Sequence, residues 1–202
     1  MREYLQTSHS ADWYSRAGGR FNHGASMEEV RRTSEDLTDV LTYAGLVLVA
    51  FELIKSLIVK PIKVFYAHTT FGPGMTFVSY EHDVLTRHRN EFEACLLYLQ
   101  DFMQAIDADD VLAIQQFRRH RNDLAHDLPN RLGKLRIEDC SHLLKSAGRA
   151  LFKLSNHRAY IEIGAEPEVK AMSLDWDKVK GHEYLLFEEV LSKIEHLKER
   201  LS

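Results

Sequence analysis

The apolar positions of this chain recur at helical spacing almost from end to end. Leu37, Val40, Leu41, Ala44, Val47, Leu48, Phe51, Ile54 and Ile58 fall three or four residues apart, which places them on one face of an α-helix. Leu46, Val49, Leu53 and Leu57 widen that stripe until it is broken only by Thr42, Gly45, Glu52, Lys55 and Ser56. The pattern predicts one long helix from Met27 to about Val59, with Ser26 as N-cap and Glu28 and Glu29 at the positive end of the helix dipole. A helix this apolar must be covered on more than one side. A central position in a bundle and a dimer interface each supply such cover, and both are expected together. Pro61 is expected to end or kink the helix, because it lacks an N–H and its ring clashes with the preceding turn.

Further along, Leu85, Phe92, Leu96, Leu99 and Met103 predict a second helix over about 83–106. Asp107-Ala-Asp-Asp110 supplies a break and the N-cap of a third, which runs through Val111, Leu112, Ile114 and Phe117 and stops at Pro129-Asn130. A fourth begins near Ile137-Glu-Asp139 and carries Leu143, Leu144, Ala147, Ala150, Leu151 and Leu154. After an irregular stretch containing Trp176, a last helix over about 182–201 turns Leu185, Leu186, Val190, Ile194 and Leu197 inward. Between the first two helices, Val64-Phe65-Tyr66 and Thr76-Phe77-Val78-Ser79-Tyr80 flank a Phe71-Gly-Pro-Gly74 turn signal. That segment predicts a short hairpin or an ordered loop. Its aromatics either stack bases or hold a partner, or else fold back onto the bundle. The class is all-α: an antiparallel bundle of four to five helices with a small loop or hairpin insertion around 62–80. Residues 1–27 read as a flexible lead-in, 28–163 as the bundle, and 164–202 as a linker plus a C-terminal helix packed on it.

Composition changes this picture little. A length of 202 residues supports a real core, and the net charge of −4 carries no global signature of nucleic-acid binding. The greasiest run, Ala44–Val59, is short for a bilayer and contains Glu52 and Lys55, so no membrane span is expected. Cys95 and Cys140 lie far apart without metal-ligand spacing and read as reduced thiols of a cytoplasmic protein. The N-terminus lacks the apolar run of a signal peptide.

Charge distribution matters more than its sum. Between Gln115 and Arg136 stand six Lys/Arg against two Asp. Within that stretch, Phe117-Arg-Arg-His-Arg121-Asn-Asp-Leu-Ala-His126-Asp concentrates arginine, histidine and asparagine on one helix. Arginine clamps phosphate oxygens, and neutral imidazole moves protons near pH 7. At roughly 100° per residue, Asn122 and His126 share a face with Arg118 and Arg119 on the same side. By the same arithmetic Arg121 lies about 140° from His126, with Asn122 in the gap, and Leu124 points away into the core. Asp123 and Asp127 could instead pair with the arginines and make the patch structural. His82-Asp83 and Arg87-His88-Arg89 add charge that either lines the same groove or forms a solvated helix face. No histidine pair has helical ligand spacing, Phe71-Gly-Pro-Gly74 lacks the Lys-Ser/Thr of a phosphate loop, and neither cysteine has the setting of a nucleophile. No metal or other cofactor is expected.

Arg121-Asn122-Asp-Leu-Ala-His126 resembles the signature of the HEPN superfamily, an Arg followed by a polar residue and, with four to six residues between, a His. The bare spacing occurs five times in this chain, and of the five arginines concerned only Arg121 is followed by Asn. The resemblance covers roughly residues 28–160. It implies a helical bundle that dimerises and pairs its motif across the dimer axis into one composite site. Active members of that superfamily are metal-independent endoribonucleases, many of them toxins or defence proteins, while inactive members bind nucleotides or other proteins. Carried onto this chain, His126 would be general base or acid, Arg121 would hold the non-bridging phosphate oxygens, and Asn122 would orient either group. Arg118, Arg119, Arg131, Lys134 and Arg136 would guide the RNA backbone. The implied partners are RNA, a second copy of the chain, and an antitoxin or other regulatory protein.

Overall fold

The structure, a computed structural model, describes the backbone of residues 27–131, 141–164 and 166–201, and the side chains of 37–128, 141–164 and 166–200. Ser26 and the lead-in, the basic side chains of Arg131, Lys134 and Arg136, the 137–139 helix start and Cys140 lie outside these described residues. The chain divides into two units, Met1–Asp36 and Leu37–Ser202, and everything that follows concerns the second.

Seven helices and no strand occur among the described residues: α1 (Met27–His68), α2 (Tyr80–Asp83), α3 (Glu91–Asp101), α4 (Ala108–Arg131), α5 (Ser141–Ile163), α6 (Pro167–Ala171) and α7 (His182–Leu201). The protein is an all-α helical bundle. α4 packs on α5, α5 on α7, and α3 on α4. Tyr43, Val47, Ala50, Ile54 and Ile58 of α1 are fully buried against Leu96 of α3, Ile114, Phe117 and Leu124 of α4, Leu144 and Leu151 of α5, and Phe187 of α7. Leu124 thus anchors α4 as its helical position predicts.

Helix α1 differs from expectation at its end. Pro61 neither ends nor interrupts it, and the helix continues to His68. An internal proline costs about 3 kcal/mol. Here Leu57, Ile58 and Ile62 are buried on both sides of it, and their packing holds the two halves in register. Val64, Phe65 and Tyr66 are therefore helical, and the hairpin alternative is excluded. The ordered-loop alternative holds over 69–79, which is irregular apart from one tight turn. In that turn the Met75 N–H donates to the Gly72 carbonyl at 3.2 Å, with Pro73 and Gly74 between them. Gly74 takes φ +84°, a conformation only glycine adopts cheaply.

The loop folds back onto α1 and α3 through edge-to-face aromatics, with Phe65–Phe77 centroids at 5.0 Å and Phe77–Phe102 at 5.5 Å. The second helix is also shorter than its apolar spacing predicts. α2, a 3₁₀ turn at Leu85–Arg87 and α3 divide the segment, and Asn90 caps α3 by accepting from the Glu93 N–H. Arg87 is taken up by Asp101 and by the face of Tyr98. At the start of α4, Asp107 and Asp110 cap each other reciprocally. The Asp110 N–H donates to Asp107 Oδ1 at 2.9 Å and the Asp107 N–H to Asp110 Oδ2 at 3.1 Å. Lys153 of α5 reaches both carboxylates, at 2.9 and 2.7 Å, and joins the two helices. Hydrogen bonding to Asp107 and then Asp110 holds the Lys153 ammonium above its ordinary pKa.

Asp83 fastens the loop. Its carboxylate accepts from the Val78 N–H at 2.8 Å and the Tyr66 hydroxyl at 2.9 Å, and lies 2.8 Å from His82 Nδ1. Partial burial pushes the Asp83 pKa up, but the hydrogen bonds from His82, Val78 and Tyr66 prevail and hold it below the ordinary carboxylate value. A depressed folded pKa contributes stability above the unfolded value near 3.9, and that stability is lost as pH falls through the folded value. Asp83→Asn is expected to lower stability by about 1–2 kcal/mol at neutral pH, or roughly 2–8 °C in Tm. The difference from wild type should shrink below about pH 4. Thermal melts of both proteins across pH check this, and a difference that persists unchanged at pH 3 would refute the role given to Asp83.

Candidate functional site

Two Phe-Glu dipeptides, Phe51-Glu52 on α1 and Phe92-Glu93 on α3, each hold one arginine of α4. Phe51 and Phe92 lie against each other, with ring centroids 5.5 Å apart. Arg118 places its guanidinium 5.3 Å over the Phe92 ring, and Arg121 places its own 5.2 Å over Phe51. The i, i+3 spacing on α4 is what brings both arginines to this Phe pair. Each stacked cation contributes about 0.5–2 kcal/mol.

The two arginines differ in how firmly their charge is matched. Arg118 is bound tightly by Glu93, whose carboxylate also accepts from Gln115 Nε2 at 2.8 Å and is only 15% exposed. Arg121 meets Glu52 at 3.4 Å, and that carboxylate is 54% exposed and shared with Lys55. Arg121 Nη1 donates to Asn122 Oδ1 at 3.1 Å, while its Nε–H is buried with no acceptor among the described residues. An exposed pair of this length contributes little stability. Arg121 is thus held in place by stacking and by Asn122 more than by its counter-ion.

Asn122 is half-buried, and His126, one turn further on, is exposed. Arg119 is exposed on the same side of α4. Asp127 leaves helical geometry, with φ −124° and ψ 17°, so α4 is kinked directly after His126 and then continues to Arg131. The sequence places a stop at Pro129-Asn130, but the helix runs past both and only kinks two residues upstream, where a proline acts because it has no N–H to bond the Ala125 carbonyl. The structure brings Arg121 and Asn122 together, and it leaves Arg121 and His126 on different sides of one helix. The observed partners of Arg118 and Arg121 are Glu93 and Glu52, acids on other helices.

His120 was not singled out by the motif. Its Nε2 lies 3.0 Å from the hydroxyl of the fully buried Tyr43, which ties α4 to α1 beside Arg121. The signal available in the sequence was the position of Tyr43, which stands a helical step from Val40 and Val47 and so belongs to the buried face.

The exposed side of α1 adjoins this arrangement. Leu41, Gly45, Leu48 and Glu52 fall within about 60° of one another on that helix. Leu41 is 47% exposed, and a Cβ built on Gly45 would meet no atom within 4 Å. Leu37–His68 is, among the described residues, one helix long and apolar enough to cross a membrane by length and composition. Its most apolar window is 44% buried inside the protein. Its continuation through Pro61 removes the shortness expected of the greasy run. Leu41 and Gly45, with the half-buried Leu48, form a strip that runs up to Glu52 and that no described residue covers. No group of metal-ligating side chains occurs among the described residues. No protein-family model, curated protein or solved structure matches this chain.

Proposed function

We propose that this protein is a metal-independent endoribonuclease of HEPN type, acting in the cytoplasm as a homodimer in a toxin or antiphage setting. The observation that carries the reading is Arg121. It is a stacked, positioned guanidinium whose charge is only loosely matched by an exposed carboxylate, with an amide beside it and an imidazole one turn on. A phosphate entering from solvent competes with Glu52 for Arg121 on far better terms than it would compete with Glu93 for Arg118.

The chemistry needs little more. RNA supplies its own nucleophile, the 2′-hydroxyl. His126 takes the 2′ proton, the 2′-oxygen attacks phosphorus, and the bond to the 5′-oxygen breaks as that oxygen acquires a proton. The products are a 2′,3′-cyclic phosphate and a 5′-hydroxyl. Arg121 holds the non-bridging oxygens as charge develops, and Asn122 keeps the guanidinium aimed. Because Arg121 and His126 diverge around one helix, the reading places the second set of groups on a partner copy, docked along Leu41, Gly45 and Leu48. One histidine then serves as base and the other as acid. Arg119 stands exposed for the backbone, and Arg131, Lys134 and Arg136 keep that assignment from charge alone.

The contact between Arg121 and Glu52 favours a second reading, in which the chain is a catalytically silent HEPN-like module that binds a nucleotide, RNA or a regulatory protein. Here the carboxylate holds the site until a ligand displaces it.

RNA incubated with the protein in EDTA should be cut to cyclic-phosphate ends. His126→Ala and Arg121→Lys, the latter keeping the charge, should each lower the rate by about a hundredfold or more with Tm little changed. Equal cleavage by all three proteins, or none by any, would overturn the catalytic reading. Glu52→Gln removes the competing carboxylate, so RNA affinity measured by fluorescence anisotropy should rise several-fold at low salt. An unchanged or weaker affinity would count against both readings. Leu41→Glu, at an exposed position, should leave the monomer folded, abolish the dimer in sedimentation, and abolish cleavage with it. Full cleavage by a monomeric Leu41→Glu protein would overturn the composite site.

A further inference from the structure

A cavity of about 640 Å³ opens at the far end of α1, between Pro61 and Phe65 of that helix, Leu99 of α3, and Leu154, His157 and Ile161 of α5. It shares no lining residue with α4 and takes no part in the function proposed above. Its size falls within the range of small-molecule sites, and its walls are mainly apolar, as such sites are. The charges at its mouth cancel. Lys60 and Arg158 stand against Glu162 and Glu183, and Arg158 donates to both carboxylates, at 2.7 and 2.8 Å. Nothing there selects an ion.

His157 is the exception in the wall. Its Nε2 is buried and has no hydrogen-bond partner among the described residues. Burial pushes the imidazole below its ordinary pKa, so the ring is neutral at pH 7 and has one donor and one acceptor nitrogen. The ring is only half-buried, and a flip about its terminal torsion exchanges the sides on which its two nitrogens lie. A buried polar atom without a partner is uncommon in folded proteins, and this one belongs to a residue that lines the cavity.

We propose that this cavity binds a neutral small molecule with an apolar, ring-sized body and one hydrogen-bonding group, which the His157 imidazole engages. A second copy of the chain is disfavoured as occupant, because a helix face offers apolar side chains and leaves the His157 nitrogen as unpartnered as before.

N-phenyl-1-naphthylamine, a neutral fluorophore with one N–H, tests this on the full chain. Its emission should rise saturably with one site per chain. Ile161→Trp, a change at an exposed residue of the mouth, should lower the affinity about tenfold or more. His157→Leu should weaken it about fivefold, the worth of one hydrogen bond. Competition by 1-phenylnaphthalene, which lacks the N–H, should be equal in wild type and His157→Leu. Circular dichroism confirms that the variants are folded, and His157→Gln replaces His157→Leu should the latter not fold. Non-saturable emission, or the same affinity in wild type and both variants, would overturn the proposal. So would loss of the probe on raising protein concentration alone, which would identify a second copy as the occupant.

Discussion

Helix α1 carries more apolar surface than a single bundle can cover, and the rest of the structure is arranged around that excess. One side, Tyr43 through Ile58, is buried by four other helices and forms the core. The packing is strong enough to carry the helix across Pro61, because the residues before and after it are both locked into that core. What one bundle leaves uncovered falls in two places. Towards the N-terminal half an apolar strip reaches Glu52 and Arg121, and towards the C-terminal half the helix walls a cavity that α3 and α5 do not fill. Both candidate binding features are therefore consequences of one imbalance between the apolar content of a helix and the number of its neighbours.

The same helix decides which arginine has the more exposed counter-ion. Arg118 and Arg121 have the same stacking geometry on α4, each over a phenylalanine, each beside a glutamate. Glu93 is enclosed by Gln115 and the α3–α4 contact, whereas Glu52 sits on the uncovered side of α1. A charge pair shielded from water persists, and one open to water is readily exchanged for another anion. Exposure of the counter-ion, more than any property of the guanidinium, separates a structural arginine from one that can meet a phosphate.

How much of this was legible in the sequence follows from which forces act locally. Helical periodicity located the long helices, because burial repeats with the turn of the helix and leaves its spacing in the chain. Leu124 and the Asp107 cap were readable for the same reason. Pro61 does not end the helix, because a local rule is outweighed by contacts that only the fold assembles. The aromatics of 62–80 look the same in a strand as on a helix and a returning loop, and only Gly74 carried a local mark of its turn. In the sequence Asp83 reads as charge that lines a groove or forms a solvated face. Its role depends on Tyr66 and Val78, and nothing in the spacing of three such residues signals that they meet. The candidate site divides in the same way. The neighbours Arg121 and Asn122 are bonded, as adjacency suggested, while Glu52, Glu93 and Tyr43 belong to other helices and leave no trace in the motif.

A motif confined to one helix cannot by itself close a site. Successive side chains fan around the axis, so the residues that read as a cluster along the chain are spread over more than a third of a turn in space. Asn122 narrows this gap by holding Arg121 towards its own side, and the kink at Asp127 interrupts the regular helix directly after His126. Neither change brings the imidazole and the guanidinium onto one face. Convergence then needs a second surface, and the nearest apolar surface without a cover is the Leu41–Gly45–Leu48 strip that ends at the Arg121 counter-ion. The excess of α1 and the divergence of α4 are complementary deficits. In the proposed composite site, the uncovered strip of α1 lies beside a motif completed by a second copy, and one docking event along α1 would satisfy both.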